Sequence, residues 1–311
     1  MRKIRVIAIL VSLVSVGNAQ ESSPLTKSDK DAIQLLEDTL TVYARGILNA
    51  ELVESRMMAC HDFIPKLVTA LKTPNSFQYH FPRLENISIL YPADSTFRIF
   101  SWQLKNNDGD YKYFGAIQWN QVNLKLVSLA DRSNSPESQN AVVGGDKWYG
   151  VVYYNILPFK DNENAKSYLL FGYDAYDVND HRKVIDVLSF KDGQATFGKP
   201  VFIFDKGVSK NRILYEYSAD AGVRVNYDEK EQMIICDHLQ EIQGILPGQG
   251  KTKVPDGSYE GFKLEKGKWK YIPNVFDSGN SKNQRAFTTK ENTSPTDSLQ
   301  HVKNKKKVKV D

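Results

Sequence analysis

The sequence predicts an α+β fold that is mainly β, with N-terminal helices packed on an extended antiparallel meander. Two observations support this. Residues 148–204 are a succession of short aromatic and β-branched runs separated by turn residues, the composition that half-buried strands prefer. The apolar period is helical before residue 76 and strand-like after it. The spacing of the strands suits a barrel or a sandwich, with a small propeller as the alternative.

Length and composition are those of a chain with a sizeable folded core. The chain has 311 residues, of which 41% are hydrophobic and 11% aromatic, so global disorder is not expected. The formal charge of +4 arises at the two ends, because it falls to about −4 once residues 1–19 and 278–311 are set aside. We therefore expect no nucleic acid partner for the folded core.

The first 19 residues have the pattern of a cleavable signal peptide. Basic residues among the first five precede an apolar run at 6–16, and Gly17 and Ala19 place small residues at the −3 and −1 positions of a cleavage site. The run is shorter than the roughly 20 residues that a transmembrane helix needs. We expect a secreted protein, periplasmic or extracellular, with no transmembrane segment in the mature chain.

Residues 20–75 are predicted to form a helical segment. Ser28 is expected to cap a first helix, whose apolar face includes Ile33 and Leu40, and Gly46 is expected to end it.

A second helix is expected over residues 50–71, kinked or divided by Pro65. Such an amphipathic pair could bind a partner, but packing against a sheet is the commoner use and the one that we favour. The residues expected to point inward are Leu52, Met57, Phe63, Leu67 and Leu71.

Residues 76–277 are predicted to form the antiparallel β domain. Asp108-Gly109 between the runs at 96–104 and 111–119 is a strong hairpin signal, because glycine tolerates the positive φ of such turns. A second hairpin is expected between 259–264 and 268–272.

Three stretches outside these runs are expected to lack regular structure. Residues 131–146 are polar and glycine-rich, and 240–254 contain glycine and proline, so both are predicted to be loops. Residues 278–311 are polar and end in a lysine run, so we predict a disordered basic tail.

Three acids within apolar runs, Asp186, Glu216 and Asp237, are candidates for the two carboxylates that a glycosidase needs. The alternative, which we favour, is structural. Glu216 would then pair with Arg212 or Arg224 along a strand face, and Asp186 would face solvent.

Two loops contain the oxygen-bearing side chains that calcium prefers. Neither matches the full calcium-loop pattern, and the side chains are equally suited to Asx turns. The residues are Asp174, Asp177, Asn179 and Asp180 in one loop and Asn106, Asp108 and Asp110 in the other.

The two cysteines, Cys60 and Cys236, could form one disulfide in an oxidising compartment or be two separately buried thiols. His61 follows Cys60, but adjacent helix residues do not face each other, so a Cys-His enzyme is not expected. The cysteine and histidine spacing fits no zinc site. We single out no catalytic, cofactor-binding or metal-binding residue.

Aromatic side chains could form a platform for a carbohydrate or peptide, although most are expected in the core. Tyr149, Tyr153 and Tyr154 cannot all face the same way on a strand, so some of them are expected to be exposed. The tryptophans are Trp102, Trp119, Trp148 and Trp269.

Several segments in order resemble uncharacterised secreted proteins common in Bacteroidota. The resemblance covers about residues 85–275 and implies a location in the bacterial envelope, but no activity. The segments are FRIFSWQL, GDYKYFGAIQW, KWYGVVYYNI, YLLFGYDAYD, FGKPVF, RILYEYSADAGVRVNYD, IICDHL, VPDGSYEGF and GKWKY.

The sequence therefore favours an exported, non-enzymatic binding or envelope-associated protein. It does not identify the ligand, for which a glycan and a protein are the candidates. The alternative is a secreted hydrolase that acts on glycans or peptides.

Overall fold

A computed structural model describes residues 24–106, 109–245 and 248–276. Strands account for 44% and helices for 22%, and two N-terminal helices pack on antiparallel sheets, so the predicted fold class is confirmed. The predicted signal peptide, 1–19, and the predicted basic tail, 278–311, lie outside the described residues.

The helices are α1 (Lys27–Asn49), α2 (Val53–Leu71) and the short α3 (Pro136–Asn140). The strands are β1 (Ser88–Leu90), β2 (Phe97–Lys105), β3 (Tyr111–Trp119), β4 (Leu126–Ala130), β5 (Val143–Gly144), β6 (Val152–Lys160), β7 (Lys166–Asp174), β8 (Asp180–Lys191), β9 (Gln194–Phe197), β10 (Phe202–Ile203), β11 (Ser209–Lys210), β12 (Ile213–Ser218), β13 (Val225–Asp228), β14 (Met233–Gln243), β15 (Lys251–Glu265) and β16 (Lys268–Ile272).

The strands form three sheets. The first sheet has the order β1-β2-β3-β4. The middle sheet has the order β5-β9-β8-β7-β6. Strand β12 also belongs to it: β12 pairs with the first half of β8, and β9 pairs with the second half of β8 along the same edge. The outer sheet has the order β11-β10-β16-β15-β14-β13, in which β10 and β16 are parallel. Within the described ranges, no sheet closes on itself.

The layers stack in the order helices, first sheet, middle sheet, outer sheet. One face of β2, with Phe100 and Trp102, packs under α1 and α2. The other face of β2, with Phe97 and Ile99, packs on the middle sheet. The far face of the middle sheet, which includes Phe171, packs on the outer sheet. Among the arrangements that the sequence allows, this stack is closest to a sandwich.

The middle sheet is buried on both faces. Residues 167–174 of β7 and 182–188 of β8 are all buried. Because side chains alternate along a strand, Leu170 packs toward the first sheet and Leu169 toward the outer sheet. This double burial explains why the strand YLLF is continuously apolar instead of alternating.

The N-cap of helix α1 is Thr26, two residues before the predicted cap Ser28. The Thr26 hydroxyl accepts a hydrogen bond from the Asp29 amide at 3.1 Å. Gly46 does not end the helix; a Cβ at this position would lie 2.9 Å from the Cβ of Ala59 in α2. Glycine therefore allows the two helices to approach closely, and its cost to helix stability is offset by packing.

Helix α2 is continuous through Pro65, so the predicted division is wrong. Leu52 and Met57 are 66% and 55% exposed, so they do not point inward as predicted. The buried stripe is centred about 90° around the helix from Met57. The remaining three predicted inward residues, Phe63, Leu67 and Leu71, are buried. In the part of the chain that the structure describes, no helix is long and apolar enough to cross a membrane.

Both predicted hairpins are confirmed, with β2 paired to β3 and β15 paired to β16. The two predicted loops are partly wrong. The 131–146 stretch contains α3 and β5, because Val143 pairs with Phe197 of β9. In the 240–254 stretch, β14 and β15 extend as a two-stranded arm. This arm rests on the middle sheet through Thr252, whose hydroxyl donates to Asp180.

A fully buried arginine, Arg98, anchors the segment before β1 to the first sheet. Its guanidinium lies between 4.9 and 5.8 Å from the centroids of four aromatic rings. Burial lowers the pKa of Arg98, and hydrogen bonds to the guanidinium favour its charged form. The acceptors are Gln118 Oε1 at 2.8 Å, the Tyr79 carbonyl at 2.6 Å, the Tyr91 hydroxyl at 2.7 Å and the Ser76 carbonyl at 3.1 Å.

We predict that Arg98→Met lowers the free energy of unfolding by at least about 3 kcal/mol, because several buried acceptors lose their donor. Arg56→Met is the matched control. Arg56 also donates to three carbonyls, but two of these hydrogen bonds are exposed, so water can replace the donor and we expect a loss below about 1 kcal/mol. Urea unfolding measures both. Equal losses would contradict the anchoring role of Arg98.

Candidate functional site

Asp186 lies in β8 and is paired with Arg212, the residue before β12. Arg212 Nη2 and Asp186 Oδ2 are 2.8 Å apart, and the two side chains are 0% and 1% exposed. The Arg212 guanidinium also lies 5.5 Å from the ring centroid of Tyr149. The interpretation that Asp186 faces solvent is wrong, because β8 belongs to a sheet that is covered on both sides.

Glu216 is paired with Arg182, not with the predicted Arg212 or Arg224. The two residues are direct cross-strand neighbours in the β8–β12 pair. Arg182 Nη2 lies 2.6 Å from Glu216 Oε2, and the Glu216 side chain is 46% exposed. The sequence could not indicate this partner, because it lies 34 positions away on another strand.

Asp237 lies in β14 of the outer sheet. Its Oδ2 accepts a hydrogen bond from the Arg224 amide at 2.7 Å, and burial raises the pKa of Asp237. Its neighbour Cys236 points toward the middle sheet, so alternation turns Asp237 to the opposite face. Asp186 and Asp237 therefore lie in different layers and cannot flank one substrate bond as a glycosidase requires.

A buried network connects the first and middle sheets around Asp174. The Tyr113 and Tyr149 hydroxyls each donate to this carboxylate at 2.7 Å. Arg182 donates to the Tyr149 hydroxyl at 3.2 Å, and its guanidinium lies 3.3 Å from the ring centroid of Tyr176. Burial raises the pKa of Asp174, while the two hydroxyls and Arg182 oppose that shift.

This Asp174 network has a structural role. Burial and the Asp174 charge raise the pKa of Tyr113 well above its ordinary value, so its hydroxyl stays protonated and donates. The hydroxyl also accepts the Ala175 amide at 2.8 Å. Because Tyr113, Tyr149 and Asp174 are buried and bonded to one another, the network connects the first and middle sheets.

The two loops proposed for calcium are organised as turns. Asp177 Oδ1 accepts the Asn179 and Asp180 amides at 2.7 and 2.8 Å, as an Asx turn does. The Asn106 amide donates to the Asp110 carbonyl at 2.7 Å. Asp108 lies outside the described residues. Within those residues, no group of three or more His, Cys, Asp or Glu side chains is placed to hold a metal ion.

The aromatic residues proposed as a binding platform are mostly internal. Trp148, Tyr149 and Tyr153 are 0% exposed. Tyr153 packs between the first and middle sheets, whereas Tyr154 packs against the core between the middle and outer sheets. The two side chains do point in different directions, as predicted, but Tyr153 is fully buried and Tyr154 is half-buried. Trp269 and Trp102 are also buried, and Trp119 is half-buried.

Cys60 and Cys236 are free, buried thiols in different cores. Cys60 lies between the helices and the first sheet, and Cys236 between the middle and outer sheets. Burial raises the pKa of both thiols, which disfavours the reactive thiolate. His61 points away from Cys60, with its side chain 85% exposed.

Sequence reasoning missed a surface Ser-Asp-His cluster beside the bulge in β14. The Ser258 hydroxyl donates to Asp256 Oδ1 at 2.7 Å, and His238 Nδ1 lies 2.8 Å from Asp256 Oδ2. The Ser258 hydroxyl and amide, with His238, lower the pKa of Asp256 to about 2. Ser258 is bonded to the carboxylate and not to the imidazole, so the base is not placed to activate the hydroxyl.

A cavity of about 30 Å³ lies between the helices and the first sheet, and its lining includes Ile47, Trp102 and Val152. This volume fits water and is far below that of pockets that bind organic ligands.

The exterior of the helices carries several exposed apolar side chains. Leu35 and Val42 of α1 are 72% and 66% exposed, and Met58 and Ile64 of α2 are 66% and 37% exposed. Leu35 and Val42 are seven residues apart, so they lie on one face, opposite the buried stripe. We call the exterior surface formed by these four residues the outer helix face.

Comparison of this chain with protein-family models, with curated proteins and with solved structures found no match.

We predict that Arg212→Met lowers the free energy of unfolding by about 3–5 kcal/mol, because it leaves the Asp186 charge buried without its partner. The double variant Asp186→Leu/Arg212→Met removes both charges and should lose much less than Arg212→Met alone. Urea unfolding of the two variants and of Asp186→Leu tests this. Additive losses would show that the two side chains do not act as a pair.

Proposed function

We propose that this protein is an exported, non-enzymatic binding protein that engages a protein partner through the outer helix face. The observation that carries the proposal is the exposure of Leu35 and Val42, which two turns of α1 present on one side. Leu35 and Val42 project from the same side of α1, and a helix face is a common recognition element for a protein partner.

A protein partner fits better than a glycan. Glycan recognition would rest on exposed aromatic platforms, and Trp148, Tyr149 and Tyr153 are fully buried. The outer helix face offers aliphatic and thioether side chains, which pack against the apolar surface of another protein.

Hydrolysis of glycans or peptides is the weaker alternative. Asp186 and Glu216 are each ion-paired to an arginine, and Asp237 belongs to another layer. These three candidate carboxylates are therefore not arranged in a pair that could flank a scissile bond.

Export rests on the pattern of the first 19 residues, and a location in the bacterial envelope rests on the resemblance to secreted proteins of Bacteroidota. We expect the purified protein from its producing cell to begin at Gln20, as measured by intact mass, and to be found in the periplasmic or extracellular fraction. An intact N-terminus in a cytoplasmic fraction would contradict this part of the proposal.

The partner surface is tested by site-specific photo-crosslinking in the producing cell. A photoreactive side chain at Leu35 should give one discrete adduct, because it lies within the outer helix face. The same side chain at Lys263, exposed on the outer sheet, is the matched control and should give none. Val42→Asp should reduce the Leu35 adduct, since a charge there opposes an apolar contact. Equal adducts at both positions, or none at Leu35, would contradict the proposal.

A further inference from the structure

Three side chains with soft or borderline metal-ligand atoms lie together on the exposed surface of α2. Met57 and Met58 are 55% and 66% exposed, and the His61 side chain is 85% exposed. A thioether sulfur and an imidazole nitrogen have no packing role in such exposed positions, so their proximity on one helix is a chemical feature of the surface.

Helix geometry brings the three side chains together. Met57 and His61 are four residues apart and Met58 and His61 are three apart, so each methionine has its Cβ about 5–6 Å from that of His61. All three project within an arc of about 100° on the helix. Methionine is unbranched with three rotatable bonds, so both sulfur atoms can turn toward the imidazole.

The histidine is already oriented for ligation through one nitrogen. His61 Nδ1 lies 3.0 Å from Asp62 Oδ1. In the neutral ring, the tautomer that donates Nδ1–H to this carboxylate leaves the Nε2 lone pair free for a metal. A carboxylate on the second nitrogen is the usual outer-shell arrangement of a metal-binding histidine, where it fixes the tautomer and raises ligand basicity.

From this constellation we infer a Cu(I) site formed by the Met57 and Met58 sulfur atoms and His61 Nε2. Thioether sulfur selects soft monovalent copper over the hard cations, which prefer carboxylates. Cys60 is on the same helix, but its thiol is 2% exposed and faces the core, so it is not a ligand.

This site shares Met58 with the outer helix face, so the two proposals overlap at one residue and need separate tests. Replacing Met57 and Met58 by leucine removes both sulfur ligands and keeps the apolar surface, so it separates metal binding from docking. Loss of metal binding with an unchanged Leu35 crosslink would separate the two proposals, and either one can fail alone.

The first experiment uses Ag(I), which has the ligand preference of Cu(I) and is stable to redox. The full mature chain is labelled with ¹³C at the methionine methyl groups. Titration with Ag(I) should shift the Met57 and Met58 resonances to saturation at one equivalent. Met233, buried at 7% exposure in the outer sheet, is the internal control and should not move.

The second experiment measures Cu(I) affinity by competition with a chromophoric chelator under reducing conditions. Met57→Leu/Met58→Leu and His61→Asn should each weaken binding by at least about tenfold, and Asp62→Asn by about tenfold through the outer shell. His238→Asn is the matched control, since His238 also has a carboxylate on Nδ1, at 2.8 Å, and should change nothing.

Three results would overturn the inference. They are methyl resonances that do not move with Ag(I), equal Cu(I) affinity in wild type and the double leucine variant, or a loss of affinity in Cys60→Ala that the methionine and His61 variants do not share.

Discussion

The rest of the structure depends on one constraint: the middle sheet is buried on both faces. Side chains on both faces of β7 and β8 lie in a core. The first sheet covers one face of the middle sheet, and the outer sheet covers the other. Full burial of one large apolar side chain is worth about 1.5–3 kcal/mol, so these strands concentrate the stabilising burial of the fold. The first and outer sheets both pack against this sheet, and the helices pack on the first sheet.

The same constraint explains the polar chemistry. A charge on the fully buried part of β7 or β8 has no route to water on either face, so it must be paired inside the protein. Asp186 has Arg212 at 2.8 Å, and Asp174 has two tyrosine hydroxyls at 2.7 Å. These two carboxylates, which could suggest a catalytic site when read in the sequence alone, are therefore bonded inside the protein. The surface that remains chemically distinctive is the exterior of the helices, with Leu35, Val42 and the Met57, Met58 and His61 group.

Local signals in the sequence predicted part of the local structure. The turn at Asp108-Gly109 and the change of apolar period near residue 76 predicted the β2–β3 hairpin and the order of helices and strands.

The ion-pair and packing partners of individual side chains were not predictable in this way, because they depend on register between distant strands. Glu216 meets Arg182 only because β12 pairs with β8. The prediction that some of Tyr149, Tyr153 and Tyr154 are exposed did not include a third sheet, which covers the face that carries Tyr154. The Met57, Met58 and His61 group was visible in the sequence as M-M-x-x-H, and only the exposure of α2 distinguished it from core packing.

Native-state hydrogen exchange tests the central role of the middle sheet most directly. Backbone amides of β7 and β8 should exchange only through global unfolding, with an opening free energy equal to that from urea denaturation. Amides of the distal β14–β15 arm, 239–243 and 251–254, should exchange through smaller local openings. Protection of the arm that equals or exceeds that of β7 and β8 would contradict the account, because the most stable unit would then lie outside the doubly buried sheet.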